Sequence, residues 1–333
     1  MDRTIEDELI QFLQIPGVLT KNRKILVAIS GGPDSTALLH ALAQLQKTLR
    51  FHVTAAHLNH SIRGIEADED ALYVQKLCDS LQIEAVIEKV DVPLIKSEQH
   101  MSMQEAARTA RHKFLRTVAG ERSIERIAYA HTRDDLVETA LLNIFRGTGL
   151  DGLTGLPSVD PPVIRPILNI KRSETSIYCS EQLLNPRQDS SNADNHYRRN
   201  RLRTELLPSL RAYFNTDIDS AVVRMCQLCD ADNSLINEIT AKFLTAHITF
   251  TESNASILIS DLTTEPVALQ RRVVRSMIEK VRGTLHGVEF SAVERLLETS
   301  RKGGIFGEQL PMLNGLCVRL ISNGVMIKVE KVV

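Results

Sequence analysis

The chain has 333 residues, of which 43% are hydrophobic and 24% charged, and its formal net charge is −1. A chain of this length is longer than one hydrophobic core usually accommodates, so we expect two domains. The composition is typical of a soluble globular protein. No apolar run approaches the roughly 20 residues that cross a bilayer. The near-zero charge excludes a uniformly basic nucleic-acid binder, so any RNA contact must come from local basic patches.

The first residues and the cysteines indicate the cellular compartment. Met1–Glu8 is acidic and lacks the basic-then-apolar layout of a signal peptide. Five cysteines, an odd number, do not form the pattern of a disulfide framework. We therefore expect a reducing, cytoplasmic location and no membrane partner.

The N-terminal half alternates β-rich runs with helical patterns. Strands are predicted at Ile25–Ile29, His52–Ala56, Ala85–Val90 and Ile127–Ala130. Helices are predicted at Ser35–Leu45, Ile65–Leu81 and Ser102–Ala119. Such alternation is typical of βαβ units, so the expected fold class is α/β with a doubly wound parallel sheet.

The second half changes character. The stretch Gly147–Pro166 is dense in Gly and Pro and predicts a long surface loop, followed by a helix at Ser173–Leu184. A boundary near Tyr213–Asp219 gives domains 1–215 and 216–333, the second smaller and mostly helical. Its predicted helices are Ala221–Phe243, Val267–Val281 and Ser291–Glu298, and its predicted strands are Ala255–Ile259, Leu316–Ile321 and Val325–Val329.

The sharpest local motif follows the first predicted strand and reads Ser30-Gly31-Gly32-Pro33-Asp34-Ser35. Glycines allow the backbone to approach a ligand closely, and the exposed amides at the start of the next helix attract an anion. The Gly-Lys-Ser/Thr ending of a Walker A loop and the G-x-G-x-x-G spacing of dinucleotide folds are both absent. A plain strand-to-helix turn capped by Ser35 or Asp34 is the simpler alternative. The surrounding strand and helix favour a phosphate-binding loop, with Asp34 able to hold Mg²⁺.

Polar clusters follow two other predicted strands, and the carboxyl ends of parallel strands meet at one edge of a sheet. His57 follows the second strand, and His131 opens the run His131–Thr139 after the fourth. Asp134, Asp135 and Glu138 in that run lie on adjoining helical positions. Acidic residues also favour a first helical turn for electrostatic reasons alone. Asp135 and Glu138, with His131 beside them, nevertheless favour a site that binds Mg²⁺ or an ammonium group.

These pieces occur together in an order that resembles the tRNA(Ile)-lysidine synthetases of the PP-loop, or ATP pyrophosphatase, superfamily. The matching segments span most of residues 20–215. They include Ser30–Ser35, His57–His60, Glu105–Arg111, His131–Thr139, Arg146–Leu156, Arg165–Leu168, Asp189–Asn192, Arg199–Arg203 and Leu207–Pro208. The remainder is similar to the first C-terminal domain of that family, as in its shorter members.

The resemblance implies a mechanism. ATP with Mg²⁺ would bind at Ser30–Ser35, and the 2-oxo oxygen of the anticodon cytidine of isoleucine tRNA (CAU) would attack the α-phosphate. Free lysine would then displace AMP. The implied catalytic residues are Asp34, Arg111, Asp135 and Glu138, with metal ligands Asp34, Asp134 and Asp135. The implied nucleotide contacts are Ser30–Ser35, His57 and His131, and the implied lysine or tRNA contacts are Asp135, Glu138, Arg108, Arg111, Arg199, Arg201 and Arg203.

Local basic runs supply the expected RNA contacts. Tyr197–Arg203 concentrates positive charge beside an aromatic ring, which suits RNA phosphates and base stacking. A second basic stretch, Arg271–Arg282, falls on a predicted helix, where a solvated face is an equally good interpretation.

Three alternatives stay open at this point. A tRNA thiolase would share the phosphate loop, and Cys226 and Cys229 form one Cys-x-x-Cys, but this pair lies in an apolar helical pattern without a partner pair. A small-molecule ligase of the same superfamily would leave the basic run unexplained. A non-catalytic ATP-binding module would not need paired carboxylates. A homodimer is common among ligases of this type, but the sequence does not determine the oligomeric state.

Overall fold

The computed structural model describes residues 4–19, 22–187, 198–214 and 217–302 and three strands, 309–311, 316–321 and 326–331. The chain divides into two compact units, Met1–Cys229 and Asp230–Val333. The division falls within the long helix Ile218–His247. The domain boundary expected between residues 215 and 216 stays a prediction.

The first unit alternates strands and helices. Its strands are β1 (Lys24–Ala28), β2 (His52–Asn59), β3 (Glu84–Lys89), β4 (Arg126–Tyr129), β5 (Val159–Asp160) and β6 (Val163–Ile164). Its helices up to β4 are α1 (Ile5–Leu13), α2 (Pro33–Leu49), α3 (Ile65–Leu81), α4 (Val92–Gln99) and α5 (Met103–Glu121). They are followed by α6 (Arg133–Phe145), α7 (Leu150–Leu153), α8 (Arg172–Glu181), α9 (Arg198–Arg201), a π-helical turn (Leu202–Leu206), α10 (Leu207–Phe214) and α11 (Ile218–His247).

The six strands form one sheet in the order β3-β2-β1-β4-β6-β5. All pairings are parallel except that of β5 with β6. Ala28, near the end of β1, pairs with Ala56 of β2 and Tyr129 of β4, so the carboxyl ends of these three strands lie side by side. The predicted doubly wound parallel sheet is confirmed.

Both faces of the sheet are covered, and β1 shows why its sequence is apolar throughout. Ile25 and Val27 pack on the face covered by α1, α2 and α8, whereas Leu26 packs on the face covered by α5. All three side chains are fully buried. A central strand buried on two faces has no polar side, which explains its continuous hydrophobic run.

The structure differs from the sequence prediction in the stretch after α6. A continuous surface loop was expected over Gly147–Pro166, but the stretch contains α7 and the β5–β6 pair, and β6 extends the sheet beside β4. Ile164 in β6 is fully buried. Strands of two residues are too short to show the alternation on which sequence prediction depends.

The second unit is mainly helical, as expected, and also contains a sheet. Its further helices are α12 (Ile259–Thr263), α13 (Val267–Arg282) and α14 (Phe290–Arg301). Five strands, β7 (Thr249–Phe250), β8 (Asn254–Leu258), β9 (Gln309–Pro311), β10 (Leu316–Ile321) and β11 (Met326–Lys331), form an antiparallel sheet in the order β7-β8-β11-β10-β9. Val273, Met277 and Leu297 are in its buried core. Among the described residues, no helix is long and apolar enough to cross a membrane.

Candidate active site

The phosphate loop lies between the end of β1 and the start of α2. Gly31 has a φ of 93°, a conformation that favours glycine, and Gly32 is the N-cap of α2 without a side-chain hydrogen bond. The Ser35 hydroxyl donates to the Gly32 carbonyl at 3.1 Å and accepts from the Ser30 amide at 3.2 Å, which holds the loop in shape. With no side chain capping the helix, its first amides are available to an anion.

A cavity of about 690 Å³ opens over the adjoining strand ends. Eight of the residues expected to be functional line it: Ser30, Asp34, Ser35, His57, Arg111, His131, Asp135 and Arg199. The structure therefore brings together residues that the sequence placed after three different strands.

Two carboxylates at the start of α6 are buried. Asp135 caps the helix, since its Oδ2 accepts from the Thr132 amide at 2.8 Å and from the Thr132 hydroxyl at 2.9 Å. Burial acts to raise the pKa of Asp135, but the Thr132 amide and the charges of Arg172 and Arg199 together hold this pKa below its usual value. Glu138, one turn further on, has a side chain only 1% exposed.

Three arginines neutralise these carboxylates. Arg199 donates to Glu138 Oε2 at 2.7 Å and to Asp135 Oδ1 at 2.9 Å. Arg203 donates to both oxygens of Glu138, at 2.7 Å and 3.0 Å. A buried carboxylate is stable only with such partners, so Glu138 depends on these guanidinium groups for its burial.

The third arginine, Arg172 at the start of α8, connects this cluster to the phosphate loop. Its guanidinium contacts Asp34 at 3.4 Å, Asp135 at 3.1 Å and Glu138 at 3.5 Å. Burial acts to lower the pKa of Arg172, but the three carboxylates outweigh it and raise the pKa. One cation thus holds three carboxylates from two elements close together.

Asp34 is in a different electrostatic environment from Asp135. Burial raises the pKa of Asp34, and the negative charge of Asp135 acts in the same direction, against the hydrogen bond from Thr175 and the charge of Arg172. The two carboxylates therefore favour a shared cation between them.

An aromatic wall forms another side of the cavity. The His131 and Tyr129 rings are stacked with centroids 5.5 Å apart, and the Arg111 guanidinium lies over the Tyr129 ring at 5.7 Å. Arg165 donates to His131 Nδ1 at 3.2 Å, so the neutral ring carries its proton on Nε2. Burial lowers the pKa of His131 to about 4, which keeps it neutral near pH 7.

His57 lies at the base of the phosphate loop. Its Nδ1 bonds to the Ile29 carbonyl at 2.9 Å, and because a carbonyl only accepts, this nitrogen carries the proton. Burial lowers the pKa of His57, so the ring is neutral.

The other expected site residues lie outside the carboxylate cluster. Asp134 accepts the Arg172 amide at 2.9 Å, and Arg201 pairs with Glu205 at 3.6 Å on an exposed surface. Arg108 is exposed on α5, one turn before Arg111. Gly31, Gly32 and Pro33 form the loop backbone. The matched segment Asp189–Asn192 and the aromatic Tyr197 lie outside the described residues.

Sequence reasoning missed several contributors to the site. Arg172 and Thr175 were not singled out, Arg165 was noted only as part of a segment that matches the family, and Tyr129 was noted only as part of a strand. Arg165 directly follows β6, the fifth parallel strand of the sheet, and Arg172 is the first residue of α8. This strand was not predicted. A correct prediction of β6 would have directed attention to the polar residues that follow it.

A Mg²⁺ ion fits part of this donor set. The carboxylates of Asp34 and Asp135 contact the same guanidinium and offer the hard oxygen ligands that Mg²⁺ prefers. Among the described residues, no group of three or more His, Cys, Asp or Glu side chains is placed to hold a metal ion. The residues therefore suit an ion that takes its other ligands from phosphate and water, not an all-protein metal site.

Fold and site together define an α/β protein of the PP-loop class, with a glycine-rich phosphate loop at the first of several adjoining strand ends. Residues 1–210 match the family described as PP-loop domain. The solved structure of the U34-tRNA thiolase NcsA from Methanococcus maripaludis, with its 4Fe–4S cluster, has the same fold, with a TM-score of 0.56 and 20% sequence identity. The match covers 68% of this chain and 78% of that one.

Sequence relatives narrow the assignment. The chain is 34% identical over 313 residues to a tRNA(Ile)-lysidine synthase of Clostridium perfringens, which covers 94% of this chain and 66% of that protein. It is 30% identical over 320 residues to the tRNA(Ile)-lysidine synthase of Caldanaerobacter subterraneus, which covers 94% and 68%. The chain belongs to the tRNA(Ile)-lysidine synthase family of PP-loop proteins. It spans slightly less than two thirds of the length of the first of these relatives.

Proposed function

We propose that this protein ligates lysine to carbon 2 of the first anticodon cytidine of an isoleucine tRNA with a CAU anticodon, using ATP and releasing AMP and pyrophosphate. The observation that carries the proposal is the contact of Asp34, beside the phosphate loop, with the same guanidinium that contacts Asp135 and Glu138. The proposed phosphate site and the proposed site for a cationic substrate would therefore be adjacent, as a ligase that uses a nucleotide and an amine requires.

The first step is adenylation of the cytidine. The uncapped amides of α2 and the hydroxyls of Ser30 and Ser35 suit the phosphates of ATP. The cytosine 2-oxo oxygen attacks the α-phosphate, a bond from phosphorus to the base forms, and pyrophosphate leaves. Arg111, which lines the same cavity, is positioned to stabilise negative charge that develops on the phosphate.

The second step is attack by lysine. Its ε-amine, as the free base, displaces AMP from the adenylated cytidine. Asp135 and Glu138 are the groups suited to bind an ammonium of lysine, and Arg199 and Arg203 would hold Glu138 in place. His131 is neutral with its proton on Nε2, so it acts as a hydrogen-bond donor and not as the base.

When bound, Mg²⁺ would neutralise phosphate charge and orient the leaving group. Asp34 and Asp135 are its candidate protein ligands, and Asp134 stays a predicted one. The tRNA, free lysine, a cytoplasmic location and a homodimer likewise belong to this proposal. Arg108, Arg199, Arg201 and Arg203 stay the predicted contacts of RNA or lysine.

The test is an incorporation assay with purified protein, ATP, Mg²⁺, labelled lysine and an isoleucine tRNA transcript with a CAU anticodon. A transcript in which this cytidine is uridine is the control. Label on the first transcript only, with release of AMP and pyrophosphate, is the expected result. Turnover of ATP with tRNA but without label would contradict lysine transfer and turn attention to sulfur transfer.

A further inference from the structure

The carboxylate–arginine cluster is balanced in charge. Asp34, Asp135 and Glu138 contribute three carboxylates, and Arg172, Arg199 and Arg203 contribute three guanidinium groups that contact them. A cationic substrate entering this cluster would add an uncompensated charge in a partly buried place. Such a charge is costly, so one resident cation must withdraw when a substrate ammonium binds.

The contact distances distinguish Arg172 from the other two arginines. Its three contacts are 3.1–3.5 Å long and each goes to a different carboxylate. Arg199 contacts its carboxylates at 2.7 Å and 2.9 Å, and Arg203 binds both oxygens of Glu138. Shorter, two-pronged contacts are the stronger ones, so the individual contacts of Arg172 are weaker than those of the other two arginines.

The backbone at Arg172 is anchored, whereas its side chain reaches the solvent. The Arg172 amide donates to Asp134 Oδ2 at 2.9 Å, and the Lys171 amide donates to Glu174 Oε2 at 2.7 Å, which fixes the start of α8. The Arg172 side chain is 26% exposed, so part of it lies at the surface. A long side chain on a fixed backbone can therefore turn away from the carboxylates without unfolding the helix.

We propose that Arg172 is an exchangeable cation: without substrate its guanidinium occupies the place beside Asp135 and Glu138 that the substrate ammonium takes, and it competes with that ammonium. The inference rests on the proposed function for the identity of the substrate, lysine. It makes Arg172 a positioning residue that keeps the buried carboxylates together in the free enzyme and weakens lysine binding.

The competition is tested by calorimetric titration of the full-length protein with L-lysine, without nucleotide or Mg²⁺. Arg172→Met is compared with wild type and with Arg211→Met, which removes an arginine from an exposed pair with Asp219. Arg172→Met should bind lysine about tenfold more tightly or better, because losing a unit charge so close to the ammonium exceeds the 1.4 kcal/mol that a factor of ten represents. Arg211→Met should bind like wild type. Hexanoate, which lacks both amino groups of lysine, should show no gain with Arg172→Met.

A second variant separates an effect on lysine binding from an effect on folding. Arg172→Lys keeps one positive charge with fewer donors and should bind lysine with intermediate affinity. Unchanged or weaker binding by folded Arg172 variants, or no lysine binding by any form, would overturn the inference. The incorporation assay on wild type decides the proposed function separately, because it does not depend on how Arg172 affects affinity.

Discussion

Arg203 and Glu138 form a two-pronged ion pair, with Nε 2.7 Å from Oε1 and Nη2 3.0 Å from Oε2. The glutamate is a buried residue of α6, and the arginine belongs to the π-helical turn after α9. The pair therefore ties the basic run to the acidic helix. This basic run was expected to bind RNA, yet two of its arginines contact carboxylates of the protein itself.

Loss of Glu138 should destabilise the protein. Glu138→Ala removes the buried carboxylate that Arg203 contacts and leaves Arg199 with Asp135 alone, and we expect the free energy of unfolding to fall by about 2 kcal/mol, since both arginines are partly exposed. Urea denaturation measures this change. Asp219→Ala, which breaks the exposed pair with Arg211, is the control and should cost less than about 1 kcal/mol. Equal losses in the two variants would show that the buried cluster contributes no special stability.

Comparison of Asp135→Ala with Glu138→Ala should separate the two steps of the proposed reaction. Asp135 is the candidate metal ligand beside Asp34, so its loss should abolish release of pyrophosphate. Glu138 is the candidate ammonium ligand, so its loss should spare release of pyrophosphate and abolish lysine transfer. Single-turnover assays that follow labelled pyrophosphate and labelled lysine on tRNA measure both. The reverse pattern would make Glu138 the metal ligand and Asp135 the ammonium ligand.

The conformation of the phosphate loop should make Gly31 less replaceable than Gly32. A Cβ at either position would meet its nearest heavy atom at an ordinary 3.6 Å, but Gly31 has a φ of 93° whereas Gly32 has a φ of −73°. Gly31→Ala should therefore lower the free energy of unfolding by about 1–2 kcal/mol, and Gly32→Ala by much less. Denaturation without nucleotide measures the backbone effect alone. Similar losses for both would mean that the loop adopts another conformation in solution.

Acid should destabilise the protein through its buried histidines. Burial, aided by the positive charges of Arg111 and Arg63, lowers the pKa of His60 to about 4 from 6.5. Between these two pH values the unfolded chain binds a proton that the folded protein does not, so the free energy of unfolding falls as pH decreases from 6.5 to 4. His60→Gln should flatten the dependence of Tm on pH in this window. His52→Gln, at an exposed histidine, is the control and should leave the dependence of Tm on pH as it is in wild type. The same dependence in His60→Gln would contradict the role of His60 in acid destabilisation.

The cysteines should be dispensable for the proposed reaction. Cys226 is buried and Cys229 is partly exposed on α11. The double variant Cys226→Ala, Cys229→Ala should transfer lysine to tRNA at the wild-type rate per folded molecule, whereas a thiolase would lose its product. Mass spectrometry of the digested tRNA distinguishes a lysine adduct from a sulfur substitution. Loss of the adduct in the folded double variant would reopen the thiolase alternative.

Short motifs and periodicity determined much of the fold from the sequence. The helix at Ile65–Leu81 and the strand at Leu316–Ile321 were predicted at the bounds that the structure has. The phosphate loop was also predicted, because a buried strand, two glycines and a helix start are adjacent in the chain. In contrast, α1 and the two-residue strand β6 were missed, the latter because it is too short to show a period.

The sequence by itself determined the features that contiguous residues carry: the α/β class, the phosphate loop and the acidic start of α6. Only the tertiary structure decided that Arg172 contacts Asp34, 138 residues earlier in the chain, and that Arg199 and Arg203 contact Asp135 and Glu138. The physical reason is that strand order and helix packing set these ion pairs, and neither leaves a local pattern in the chain. A basic run therefore looks the same in the sequence whether it faces RNA, as predicted here, or neutralises buried carboxylates, as Arg199 and Arg203 do.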